Sequence, residues 1–169
     1  MPEPRTLARA RRDQRQGKAP TTQAGEFVRE EIHHVREGKH GARSAKQAIA
    51  IGLSKARRAG VELKPPATGK TSGKTRRSAE RDYARGHGAP ARRASTAKRS
   101  RASERALKRE STAAASSGSL ARQAHAAATR RSPGQRSKSA AKASRTKGSA
   151  VRSAAARKAA RSRAAHAAR

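Results

Sequence analysis

Fifteen large apolar side chains must serve a chain of 169 residues: three Ile, five Leu, four Val, and one each of Met, Phe and Tyr. Trp and Cys are absent, so the hydrophobic fraction of 33% is mostly alanine. Ordering a backbone residue costs about 1–2 kcal/mol, and burial of alanine does not offset that along a whole chain. The fold class expected on this ground is mainly α and disordered. A short two-helix hairpin would carry a long basic low-complexity tail, with weak helices at most within the tail.

Charge points the same way. The chain holds 43 Lys+Arg against 11 Asp+Glu, a formal net charge of +32. Such a chain repels itself and seeks a polyanion, because each phosphate it neutralises releases condensed counterions. DNA and RNA are the abundant candidates, and an anionic membrane surface is the weaker one. Without Cys there is neither a disulfide framework nor a thiolate metal site. Residues 1–12 hold no apolar signal region, and no apolar stretch approaches the ~20 residues that cross a bilayer. A cytoplasmic, nucleoid-associated protein is the expectation.

Composition divides the chain into four parts. Residues 1–22 read as a flexible basic arm, and 23–62 as a helical hairpin module that holds five of the 11 acids. Residues 63–90 read as a Gly/Pro/Lys-rich linker with a weak helix near 78–85. Residues 91–169 read as an Arg/Lys/Ala/Ser-rich tail. From Ser111 to Arg169 there is no acidic residue and there are 14 basic ones.

The hairpin follows from periodicity. Ala24, Phe27, Val28, Ile32 and Val35 recur at helical spacing, with Glu26, Glu30, His33 and Glu37 on the opposite, solvent-facing side. Gly38 marks a helix stop. Ser44 and Gln47 match a capping box that opens a second helix. There Ala45, Ala48, Ile49, Gly52, Leu53 and Ala56 share one face, and Ala48, Gly52 and Ala56 form a small-residue seam. Gly60 and Val61 fit a left-handed stop with its apolar contact, and Pro65 and Pro66 block continuation. Ile51 lies opposite the seam beside Lys55 and Arg58. A homodimer, a third helix and another partner are the candidates for that face.

Catalytic chemistry finds no support, and the chain reads as a non-enzyme with no cofactor and no small-molecule substrate. Gly69-Lys70-Thr71-Ser72-Gly73-Lys74-Thr75 repeats the end of a phosphate-binding loop, but the first glycine of that loop is missing. His33, His34, Glu37 and His40 are ligand types at helical spacing. Without an apolar shell they read as surface side chains, and no metal is expected. Ser78, Ser95 and Ser132 lie near Arg, where phosphorylation would weaken phosphate binding.

Nucleic-acid contacts are expected at Lys39, Arg43 and Lys46 around the start of the second helix, where free N–H groups favour phosphate. Lys55, Arg57 and Arg58 mark its other end. The tail would add Arg92, Arg93, Lys98, Arg99, Arg101, Arg130, Arg131, Arg136, Lys138, Lys142, Arg145, Lys147, Arg152, Arg157, Lys158, Arg161 and Arg163. Residues 136–145 resemble residues 152–161, a reiterated phosphate-binding stretch. Aromatic residues amount to 1%, so stacking platforms for single strands are missing and duplex DNA bound through its backbone is favoured, with RNA left open as the partner.

Two resemblances accompany these residues. Lys46-Gln47-Ala48-Ile49-Ala50-Ile51-Gly52-Leu53-Ser54-Lys55-Ala56-Arg57-Arg58-Ala59-Gly60 resembles the box of a family of small, basic, functionally uncharacterised bacterial proteins. In that family the box follows a short helix and a basic glycine-containing loop, as Glu26–Val35 and Gly38–Arg43 do here. The likeness covers about residues 23–63. Residues 90–169 are similar to the Lys/Ala-rich tails of linker-histone-like and bacterial nucleoid proteins, which implies coating or compaction of DNA. This tail favours Arg and Ser, and no winged-helix domain precedes it. An RNA- or ribosome-associated protein, or an adaptor that binds a protein through the hairpin, is the alternative.

Overall fold

The computed structural model describes residues 1–89 and 97–167. Among them the chain forms seven α-helices, one 3-10 helix and no strand: α1 (Pro4–Arg15), α2 (Pro20–Arg36), α3 (Ala45–Arg58), α4 (Gly73–Gly86), α5 (Ala97–Lys108), the 3-10 turn Thr112–Ala115, α6 (Ser117–Thr129) and α7 (Pro133–Ala167). Two compact units result, Met1–Gln123 and Ala124–Arg169.

Helix ends follow local chemistry. Pro4 and Pro20 open α1 and α2 at a position where the missing N–H costs nothing. Ser44 Oγ accepts from Gln47 N at 3.2 Å, and Gln47 Oε1 reaches back to Arg43 N at 3.0 Å, one residue before the expected partner. Gly60, at φ +84°, ends α3: its N–H bonds Arg57 O, and Val61 N–H bonds Ala56 O. Val61 is buried, as that stop requires.

In the first unit α2 and α3 make the principal contact, with α1 against α2 and α4 against α3. The seam of α3 lies against α2: Ala48 and Ala56 are fully buried. A Cβ on Gly52 would stand 2.7 Å from Val28 Cα, so only glycine admits this approach. On one side of the seam Phe27, Ala24, Ala56, Val61 and Ala10 form a core, with Leu7, Leu53 and Leu63 at its edge. On the other, Ile32, Val35, Ala42 and Ala48 pack with Ala114 and Ala115 of the 3-10 turn. Gly41 N–H bonds Leu107 O, and Ala42 N–H bonds Ser111 O, fixing the α2–α3 loop to the chain after α5. Arg36 Nε adds a bond to Ala115 O at 2.9 Å.

This architecture overturns the expected two-helix hairpin with a long disordered tail, and the description as intrinsically disordered and low-complexity falls with it. Two causes are visible. First, large apolar residues are not the only filling: alanines from distant segments plug the gaps beside Phe27 and Val35. Second, the acids on α2 are not solvent-facing. The N-terminal segment covers Glu26 and Glu30, with Arg9 Nε 2.8 Å from Glu26 Oε2 and Glu3 N donating to Glu30 Oε2, and Lys55 of α3 and His40 meet Glu31. Glu26, Glu30 and Glu31 are all buried. In the second unit the helix is local: alanine has the best helix propensity and needs no core to express it.

Within the stretch after α3, residues 73–86 form a helix. Helix α4 is capped by Ser72 and packs on the face of α3 that bears Ile51. Ser54 Oγ donates to Asp82 at 2.5 Å, and Arg58 Nε lies 3.7 Å from the same carboxylate. Ile51 is half-buried on α3. Helix α5 lies in the stretch where weak helices at most were expected.

Candidate nucleic-acid interface

The structure sorts the expected phosphate contacts into two kinds. Within the first unit most are already committed. Lys55 Nζ lies 2.7 Å from Glu31 Oε2 and 3.5 Å from Glu30 Oε1. Arg57 is buried, its Nε donates to Leu63 O at 3.0 Å, and burial pulls its guanidinium below the ordinary arginine value. Arg58 is exposed, donates to Ser54 O and faces Asp82. Lys39 sits 3.1 Å from Glu37 and 3.5 Å from Glu3, and the Glu37 hydrogen bond raises its pKa. The carboxyl of Glu37 is held low by the same contact. Arg43 and Lys46 are exposed beside the start of α3. Among the described residues neither makes an ion pair with a carboxylate, and Arg36, also exposed, is held to Ala115 O.

The second unit is different. Arg130, Arg131, Arg136, Lys138, Lys142, Arg145, Arg152, Arg157, Lys158, Arg161 and Arg163 are all exposed, as is Arg101 on α5. Lys98, Arg99 and Lys147 lie on α5 and α7, with side chains outside the described residues. Arg92, Arg93 and Ser95 lie outside the described residues altogether. Helix α7 runs through two segments that meet at Gly148, which is non-helical at φ 61° and ψ 166°. The segments share a cation register: Arg136, Lys142, Arg145 and Lys147 recur 16 residues on as Arg152, Lys158, Arg161 and Arg163. At about 100° per residue this register puts the first and last cation of each set on one side of the helix. The middle two fall on the opposite side. No acidic residue interrupts either stripe.

Sequence reasoning missed a polar knot at the end of α4. Tyr83 OH donates to Glu62 Oε2 at 2.6 Å, and His87 Nε2 meets Glu62 Oε1 at 2.6 Å. The two rings stack with centroids 4.0 Å apart. The tyrosine bond, then the histidine, hold the Glu62 carboxyl below its usual range. The His87 imidazole is raised, first by its bond to Tyr83 O and then by Glu62. Tyr83 is raised by Glu62. This knot ties the α3–α4 connection to α4 and is structural.

No family model, characterised protein or solved structure matches the chain. Among the described residues, no helix is long and apolar enough to cross a membrane.

Proposed function

We propose that the protein binds duplex DNA through its phosphates, with little sequence preference, using α7 as the principal element. The observation that carries this reading is the doubled cation register on α7, free of acids over its whole length, with Arg136, Lys142, Arg145, Arg152, Lys158, Arg161 and Arg163 exposed. Cations on two opposite sides of one helix suit a major groove about 12 Å wide, whose two walls are phosphate backbones. Each segment of α7 would lie along the groove with one stripe toward each wall. Gly148 would let the second segment follow as the groove turns. The alanines between the stripes offer methyl groups rather than base-reading donors, so discrimination between sequences would be weak.

The first unit would add Arg43 and Lys46 at the start of α3, whereas Lys55 and Arg57 are held by Glu30, Glu31 and the Leu63 carbonyl. The test is a comparison of the full chain with a variant carrying Arg152→Gln, Lys158→Gln, Arg161→Gln and Arg163→Gln, on one random-sequence duplex over a salt series. The slope of log affinity against log salt should shrink by up to about 3–4, at about 0.9 per lost phosphate contact. An unchanged slope would remove α7 from the interface. Preferential binding to structured RNA in competition would move the reading to an RNA-associated protein.

A further inference from the structure

Among the described residues, one set of three His and carboxylate side chains places its ligand atoms within 4.8 Å of one another: Glu31, His34 and His40. We propose that these three residues form a binding site for a divalent transition-metal ion of the zinc class, joining α2 to the α2–α3 loop. Two imidazoles and one carboxylate are a donor set that suits zinc and leaves a fourth position for water.

The geometry around Glu31 and His40 supports the assignment. Glu31 is fully buried, and neither carboxylate oxygen makes a well-formed hydrogen bond. Lys55 Nζ stands 2.7 Å from Oε2, and His40 Nε2 stands 3.2 Å from Oε1. His40 Nδ1 lies 3.0 Å from Gly41 O, which can only accept, so that nitrogen carries the hydrogen. On the neutral ring Nε2 then turns a lone pair toward Oε1. Two electron-pair donors about 3.3 Å apart are what a tetrahedral ion with ligands near 2.0–2.2 Å requires. The Gly41 carbonyl is the kind of outer partner that fixes a ligating imidazole.

His34 stands one turn beyond Glu31 on α2 and is mostly buried, with its side chain 13% exposed. Its Nε2 is 2.8 Å from Glu3 Oε1, which is brought there by α1. An ion on Oε1 leaves Lys55 to Oε2 and to Glu30. The pair His33 and Glu37 lies outside the group. It is an exposed i,i+4 contact at 3.1 Å, and its side chains are 67% and 42% exposed. The sequence suggested both helical histidines without distinguishing the one that turns inward.

Full-length protein free of nucleic acid should be titrated with ZnCl₂ by calorimetry, and with Co²⁺ followed by its visible d–d absorption. One ion per chain is expected. His34→Ala and His40→Ala should each weaken binding at least tenfold, while His33→Ala and His125→Ala should leave it unchanged. Far-UV circular dichroism of every variant separates lost ligation from lost folding, and His40→Gln is the milder second variant. No saturable binding, which would make His40–Glu31 a plain ion pair, would overturn the proposal. So would binding weakened equally by His33→Ala.

Discussion

Gly52→Ala should destabilise the protein although it puts the best helix former into the middle of a helix. In an open helix the change from Gly to Ala is worth up to about 1 kcal/mol in the folded direction. At Gly52 the new Cβ would stand 2.7 Å from Val28 Cα and 3.0 Å from Phe27 O and Val28 N, all backbone atoms of α2 that cannot rotate away. Forcing a methyl into a closed seam costs about 1–3 kcal/mol. The balance is a net loss of about 1 kcal/mol, which corresponds to about 3–5 °C in Tm for a unit of this size. Gly25 on α2 is the internal control. It is exposed and nothing lies within 4 Å of its Cβ position, so Gly25→Ala should gain up to about 1 kcal/mol. Thermal and urea denaturation of the two variants beside the parent chain read both signs. If Gly52→Ala matched Gly25→Ala, the close approach of α2 and α3 would be wrong, and with it the placement of both cores.

Three further outcomes are expected. Lys55→Met removes the cation shared by the buried Glu30 and Glu31 and should cost about 3 kcal/mol in urea denaturation, with no change in the salt slope of DNA binding. The Glu62–His87 contact should strengthen folding within a defined pH window. His87 is raised above its ordinary 6.5, so its contribution is complete below that value and fades as pH rises through the raised one. Glu62 is lowered from its ordinary 4.5, so its contribution holds above that value and fades as pH falls through the lowered one. An NMR titration of the His87 ring should therefore show a midpoint above 6.5, and Glu62→Gln should bring it down. Arg43→Gln with Lys46→Gln should leave stability within about 0.5 kcal/mol, as for exposed side chains, and lower DNA affinity modestly.

What the sequence disclosed was what local chemistry writes. The cap at Ser44, the stop at Gly60 and the seam Ala48–Gly52–Ala56 are each set by a few neighbouring residues, and each stands where periodicity put it. Helix α1 was hidden because its contacts with α2 are largely ionic, through Arg9 and Glu3, with Leu7 and Ala10 its apolar share. Pro4 as a helix opener and Gly17 as a stop were the available signals. Ala114 and Ala115 were invisible as core residues, because their partners Val35 and Ala48 lie more than sixty residues away. The same non-locality misdirected the site. Lys55 and Arg57 look like any other cation in the chain until α2 supplies Glu30 and Glu31 and the turn after Gly60 supplies the Leu63 carbonyl. Helix α7 needs no core to form, because alanine carries its helix propensity locally, and that order was not legible in a stretch so rich in like charges.

The measurement that bears most directly on the phosphate-binding reading is the affinity of the full chain for two unrelated duplexes across a salt series. If six to ten of the exposed cations engage phosphates, log affinity should fall linearly with log salt at a slope of about −5 to −9, nearly equal for the two sequences. A slope shallower than about −2, or affinities that differ more than tenfold between the duplexes, would contradict it.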